Sequence, residues 1–222
     1  SDWSIKKWEN VNDKIYNISL HSHVHDATYL LLRYESLVTP CSIKQVYINE
    51  NFHTEDIVWT KEVPNYNKEL YDCERIYVTS NDGSKIPCSI MYKSSCKNNG
   101  NMPLYMYGYG AYGLTIDTLF NFKNICLLDH GYCFAICHVR GGGFLGRQWY
   151  EDGRLEHKMN TFTDFHDCAK HLGSLPYINK ENITCEGRSA GGLLAGVMAS
   201  KYPDTFKNVI MGVPFTDVLI TM

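Results

Sequence analysis

Ile183-Thr184-Cys185-Glu186-Gly187-Arg188-Ser189-Ala190-Gly191-Gly192 runs from a short β-prone stretch straight into an apolar segment, Ala190 to Tyr202, that stops before Pro203. The first four residues read as a strand and the longer segment as a helix. The pattern Gly-x-Ser-x-Gly therefore occupies a strand-to-helix turn. A serine on so sharp a turn takes a strained backbone, and the side chains beside it must be small. Gly187 and Gly191 omit the Cβ atoms that would collide there. The turn lifts the Ser189 hydroxyl above the C-terminal edge of a sheet, and the helix behind it aims free N–H groups at the same spot. Ser189 is the candidate nucleophile, and the Ala190 N–H a candidate donor to an oxyanion. A glycine-rich turn with an incidental serine would share the five residues but not the strand–helix context.

Working outward, strands and helical patterns alternate. Arg75–Thr79 and Ile86–Tyr92 flank Ser80-Asn81-Asp82-Gly83-Ser84, whose Asp-Gly pair marks a hairpin turn. Met102–Tyr107 reads as a strand, Leu119–His130 as a helix, and Tyr132–Val139 as a buried strand. Asn160–Leu172 is helical, with Phe162, Phe165, Cys168, Ala169 and Leu172 three or four apart, and Val209–Val213 is a further strand. This rhythm defines an α/β fold, a mainly parallel sheet with helices on both faces.

The first seventy residues differ. Lys14–Leu20 and Ser42–Ile48 alternate apolar and polar residues, Ala27–Tyr34 is rich in strand formers, and Ile57–Thr60 adds a fourth run. Four short strands separated by turn residues suit one blade of a β-propeller. A lone four-stranded sheet covers its faces thinly, so this part reads as the end of a larger array.

Composition narrows the function classes. Of 222 residues, 44% are hydrophobic and 20% charged, the balance of an ordinary globular protein. A net charge of −3 gives no electrostatic footprint for nucleic acid. No apolar run approaches the roughly 18 residues of a membrane span, and Ser1-Asp2-Trp3-Ser4 shows no basic region followed by an apolar core. Nine cysteines without CxxC pairs read as reduced thiols of a cytoplasmic protein, several packed as small hydrophobes. His21, His23 and His25 alternate along one strand face ahead of Asp26; zinc could use them, but a solvated blade strand explains the pattern and is the preferred reading. Cys133, Cys137 and His138 belong to an apolar strand that needs no metal. Nothing calls for a cofactor: no GxGxxG opens a helix, and no GK[ST] is present.

Two further glycine-rich stretches follow strands: Tyr107-Gly108-Tyr109-Gly110-Ala111-Tyr112-Gly113 and Arg140-Gly141-Gly142-Gly143. The first can hold a phenol near the Ser189 turn or simply pack as an aromatic turn; the second is a flexible loop or a phosphate nest. Together with Gln148-Trp149-Tyr150-Glu151-Asp152-Gly153, Asn160-Thr161-Phe162, Gly187–Gly192 and Val213-Pro214-Phe215, and in this order, they resemble the prolyl oligopeptidase family of serine peptidases, its oligopeptidase B branch most of all. The resemblance implies an α/β-hydrolase domain joined to a seven-bladed propeller that restricts entry to peptides. Residues 71–222 would be the N-terminal part of that hydrolase domain, and residues 1–70 the last blade. It further implies Ser189 as nucleophile, the Tyr109 hydroxyl joining the Ala190 N–H in the oxyanion hole, Tyr112 lining the substrate pocket, and Asp117 as one of two acids that favour basic residues. Leu119 stands where the second acid would be, and Phe144 where a glutamate usually follows the three glycines.

In such folds the catalytic triad runs in the order serine, acid, histidine. His171 is the last histidine here, and Asp204 and Asp217 come too early to be the acid. The chain is accordingly expected to be a piece of a longer protein and inactive as it stands, since losing a triad member removes about 10⁴ or more in rate. The expected activity of the whole is cleavage of short peptides after Arg or Lys through an acyl-enzyme. Post-proline cleavage, acylaminoacyl peptidase or esterase activity, and a non-catalytic binding remnant are the alternatives.

Overall fold

The computed structural model describes residues 14–22, 28–47 and 55–217, and these form two compact units, 1–68 with 118–121 and 69–117 with 122–222. Among the described residues, no helix is long and apolar enough to cross a membrane.

The first unit is an antiparallel meander of β1 (Asn17–Ser22), β2 (Tyr29–Glu35), β3 (Ser42–Tyr47) and β4 (Glu55–Thr60), paired in that order. This is the blade-like sheet that the alternation predicts. Tyr34, Leu37, Val38 and Val46 are buried in it. His21 is exposed on β1, whereas His23, His25 and Asp26, like Ala27 and Ile48, lie outside the described residues.

The second unit contains β5 (Tyr71–Thr79), β6 (Lys85–Lys93), α1 (Ser94–Lys97), β7 (Met102–Gly108), α2 (Phe122–Asp129), β8 (Cys133–Cys137), α3 (Arg147–Glu151), α4 (Lys158–Gly173), β9 (Ile178–Arg188), α5 (Ala190–Lys201) and β10 (Asn208–Gly212). Its sheet has the order β10-β9-β7-β8-β6-β5. The four strands β10, β9, β7 and β8 run parallel, and β6 and β5 close the edge antiparallel. Side-chain alternation assigns the faces. Cys133, Ala135 and Cys137 of β8 share a core with Phe165 and Leu172 of α4 and with Leu194 and Met198 of α5. Phe134 and Ile136, equally buried, point the other way, where α2 packs on β6 and β8 through Ile125 and Leu128. Helices thus cover both faces of a mainly parallel sheet, a partial α/β-hydrolase fold preceded by a propeller blade.

Two element boundaries differ from the sequence reading. The helix expected from Leu119 begins at Phe122. Phe120 instead donates its backbone N–H to Glu35 Oε1 (3.2 Å) and stacks edge-on against Tyr66, which holds this stretch with the first unit. The strand expected at 183–186 is the eleven-residue β9. Its polar beginning, Asn179-Lys180-Glu181, hides a pairing of Ile178 with Met102 across a register shift.

Candidate active site

The strand order explains why three glycine-rich stretches meet. β9, β7 and β8 are parallel neighbours, so their C-terminal ends share one edge of the sheet, where open α/β sheets bind ligands. Ser189 follows β9, Tyr109 follows β7 and Arg140 follows β8 shortly after.

Ser189 has φ 56° and ψ −118°, a backbone region that L residues rarely hold, and its side chain is exposed. The strain is over-determined by its surroundings. The Ser189 N–H donates to the Gly212 carbonyl (2.9 Å), and its carbonyl accepts from Gly192 N–H (2.8 Å) and Phe215 N–H (3.0 Å). A Cβ on Gly187 would stand 1.8 Å from the Gly191 carbonyl oxygen. One on Gly191 would stand 2.7 Å from the Gly108 carbonyl oxygen and 3.2 Å from Tyr109 Cα. Both glycines are therefore required, and the second brings the Tyr109 backbone against the first turn of α5. Ala190, the first residue of that helix, is one whose N–H has no intrahelical acceptor.

The loops after β7 and β8 interlock through their backbones. Gly113 N–H donates to the Gly141 carbonyl (3.0 Å), Gly143 N–H to the Leu114 carbonyl (3.2 Å) and Gly141 N–H to the Trp149 carbonyl (3.0 Å). Thr161 Oγ1, on α4, donates to the carbonyls of Arg140 (2.8 Å) and Gly153 (3.1 Å). Arg140-Gly141-Gly142-Gly143 is thus a packed junction and not the flexible loop or phosphate nest that its composition suggests. Arg140 itself is buried. Its Nε donates to Asp164 Oδ2 (2.8 Å), and its terminal nitrogens pair with Asp164 Oδ1 (2.5 Å) and Asp82 Oδ2 (2.6 Å). These bonds, Asp164's foremost, raise the guanidinium pKa further. Asp167, one turn on, accepts from Ser80 Oγ (2.9 Å) and Asn81 N–H (3.0 Å), so α4 also pins the Asp82-Gly83 hairpin.

A cleft of about 290 Å³ opens beside the serine turn, and its walls include Tyr112, Tyr150, Arg154, Lys158, Ala190 and Phe215. Two cations and no carboxylate or histidine line it among the described residues. Arg154 is tied to Glu151 through Nε (2.5 Å). Tyr112 and Leu155, both on the walls, carry positive φ values of 58° and 48°. With Ser189 they gather three strained residues at one place.

The structure therefore brings Ser189, Ala190 and Tyr109 to one corner and sets Tyr112 and Ala190 on the cleft wall. Asp117 is exposed and does not line the cleft. Sequence reasoning passed over Lys158 and the Arg140–Asp164 pair, and it gave Thr161 no role beyond its place in a family-like stretch. Aspartates at 164 and 167, on the inward side of an otherwise apolar helix stripe, were the available signal for the pair.

Metal ligation has one geometric opportunity among the described residues. The Sγ atoms of Cys88, Cys137 and Cys168 lie within 4.8 Å of one another in the core, with Cys88 and Cys168 at 3.3 Å. Cys133 and Cys137 are buried on the face toward α4, and all nine cysteines are free thiols. His138 lies on the opposite face, with Nε2 2.7 Å from Ser89 Oγ, its ring stacked on Phe144 and Nδ1 buried without a partner. Burial, aided by the positive charge of Arg75, pushes its pKa down to about 3.

A serine on a strained strand-to-helix turn, set at the C-terminal edge of a parallel sheet, defines the class by fold: an α/β-hydrolase unit. The prolyl oligopeptidase family matches over residues 119–222. Dipeptidyl aminopeptidase BI of Pseudoxanthomonas mexicana is 36% identical over 213 residues, which is 95% of this chain and 29% of that protein. Protease 2 of Moraxella lacunata is 36% identical over 215 residues, 95% of this chain and 31% of that protein. The solved oligopeptidase B from Trypanosoma brucei with covalently bound antipain, in its closed form, superposes with a TM-score of 0.84 at 37% identity, covering 96% of this chain and 30% of that one. The chain belongs to the prolyl oligopeptidase family, and it spans less than a third of the length of these relatives.

Proposed function

We propose that this chain carries the nucleophile half of a serine oligopeptidase that hydrolyses short peptides through an acyl-enzyme. Ser189 Oγ attacks the scissile carbonyl and becomes the ester oxygen. The Tyr109 hydroxyl and the Ala190 N–H hold the oxyanion, and the amine leaves with a proton delivered by a histidine. No histidine follows Ser189 in this sequence, and the reading takes the acid–histidine pair from outside these 222 residues. Tyr112 packs against the substrate and Asp117 favours basic residues beside the cleavage point. Residues 1–70 act as the last propeller blade and residues 71–222 as the N-terminal part of the hydrolase domain. Its nine free thiols suit the cytoplasm, and its partners are peptides rather than nucleic acid or membrane.

The observation that carries this reading is the Ser189 backbone, held at φ 56° between Gly187 and Gly191 with Tyr109 against the same turn. A second reading is cleavage after proline; among the described residues the cleft is lined by two cations, Arg154 and Lys158, whose charge repels a P1 guanidinium. Arg-p-nitroanilide and Pro-p-nitroanilide given to the full-length gene product separate the two. Preference for arginine is expected; faster turnover of the proline substrate would replace the first reading with the second. Ser189→Ala should abolish turnover of both substrates, and retention of most activity would remove Ser189 from the mechanism.

A further inference from the structure

Lys158 is an ammonium without a counter-ion in a place that has lost most of its water. Its Nζ donates to the Gly110 carbonyl (2.5 Å) and approaches Thr161 Oγ1 (3.2 Å), and it lies 5.6 Å from the centre of the Phe162 ring. Among the described residues no carboxylate pairs with it. Burial lowers its pKa to about 8. Charged groups desolvated without a partner are costly, so the fold gives up stability to keep a cation here.

The carbonyl that Lys158 grips belongs to the residue after Tyr109. Gly110 has φ 66°, and a Cβ there would stand 2.3 Å from Thr161 Cγ2, so the loop is clamped to α4 from both its amide plane and its side-chain direction. Thr161 in turn bonds the Arg140 and Gly153 carbonyls, so Lys158 and Thr161 together tie the Tyr109–Gly113 loop to the loop after β8, and among the described residues Lys158 is the charged side chain that bonds the Gly110 carbonyl. We propose that Lys158 is a positioning residue: it fixes the Gly110 carbonyl and so holds the Tyr109 phenol where a developing oxyanion forms beside the Ala190 N–H. The inference rests on the assignment of Tyr109 and Ala190 to the oxyanion hole.

A charge-assisted hydrogen bond is roughly twice as strong as a neutral one, so deprotonating Lys158 slackens the loop while leaving the amine in place. The titratable groups around it are Tyr112 on the loop after β7, Tyr150 of α3, and Arg154 with its partner Glu151. The exposed Glu156 and His157 precede it in the chain, and α5 presents only Ala190 and Leu193 to the cleft. Lys158 is the group of this set that burial brings to about 8.

The test uses the full-length gene product and a peptide anilide, with kcat and KM measured between about pH 6 and 10. Wild type should lose kcat along a limb near pH 8. Lys158→Met should lower kcat about tenfold at pH 7 with KM changed less than about twofold, the signature of a contact realised in the transition state. Lys158→Arg should keep most of kcat and move the alkaline limb upward, because a guanidinium stays charged. In a Tyr109→Phe background Lys158→Met should cost little more, since both changes disable one donor. An unmoved limb in Lys158→Arg, or full additivity with Tyr109→Phe, overturns the proposal. If Lys158→Met does not fold, the wild-type and Lys158→Arg limbs decide alone. Ser189→Ala separates the two levels: an active Ser189→Ala defeats the peptidase assignment itself, whereas an inert one beside a fully active Lys158→Met defeats only the role given to Lys158.

Discussion

The six-stranded sheet under Ser189 and the four-stranded sheet of β1–β4 are both built from short runs of strand-forming residues, yet they bury them differently. Ile86, Cys88, Ile90 and Met91 of β6 are fully buried, on both faces of the strand. Leu20, Ile57, Val58 and Trp59 of the smaller sheet are 54%, 64%, 53% and 52% exposed. The larger sheet carries its cover in its own sequence, because each crossover returns as α2, α4 or α5 over a strand. A meander whose strands follow one another without an intervening helix among the described residues supplies no such layer. The strand pattern states that a face is to be covered; only the connections state by what.

The largest effects should come from the covered side. Phe165 is fully buried between the sheet and α5, so Phe165→Ala should cost about 3–5 kcal/mol. Asp164→Ala should cost a similar 3–5 kcal/mol, because it leaves the buried Arg140 guanidinium with the half-exposed Asp82 as its remaining carboxylate and removes the acceptor of its Nε and backbone N–H. Hydrogen exchange, read separately over 17–60 and 71–212, is the right measurement for a molecule of two units. Protection should fall in the second range and hold in the first. Replacing both partners, as Arg140→Met with Asp164→Leu, should recover most of the Asp164→Ala loss; a double variant as unstable as the single would show that the network acts through more than its charges.

How much of this was legible depended on where the signal lay along the chain. The parallel sheet, its helices and the serine turn could all be read, because each rests on a local pattern: an apolar run, a 3.6-residue stripe, or Gly187 and Gly191 around Ser189. The junction of loops could not. Its bonds join Gly113 to Gly141, Arg140 to Asp164 and Lys158 to Gly110, partners 24 to 58 residues apart when Arg140–Asp82 is included. Nothing in His157-Lys158-Met159 sets that lysine apart from any surface lysine. Phe144 shows the same limit. As a departure from a family pattern it had no meaning, until the fold set its ring 3.9 Å from His138 and 4.6 Å beneath the Arg75 guanidinium.

A smaller effect sharpens the comparison through pH. His138 sits on a buried face, and its folded pKa of about 3 lies below the roughly 6.5 of an unfolded chain. Between those values the unfolded state binds a proton that the folded state refuses. The stability His138 confers is therefore complete above pH 6.5 and drains away as pH falls toward 3, at up to about 1.4 kcal/mol per pH unit. His138→Gln removes the titration while retaining a polar group for Ser89 Oγ. Between pH 7 and pH 5 the wild type should lose about 2 kcal/mol more than the variant, measured by exchange over 71–212. Equal slopes would mean that His138 is solvated or protonated at neutral pH.

The smallest effect belongs to the open sheet. Trp59 pairs with Ile43 across β3 and β4 and contributes to a shallow apolar surface with Leu31 and Val58, but half of it meets water. Its removal deletes about half the area a buried tryptophan would and leaves no closed cavity, so Trp59→Ala should cost the first unit about 1–2 kcal/mol, against the 3–5 kcal/mol of Phe165→Ala. The two are similar in chemistry and opposite in cover, which makes the ratio of their costs a direct measure of how much of each sheet's face this chain closes by itself. If further blades are present and pack on that surface, Trp59→Ala should become costlier in their presence than in this chain alone. A cost above about 3 kcal/mol in this chain would mean that the face is already closed, and the contrast between the two sheets would fail.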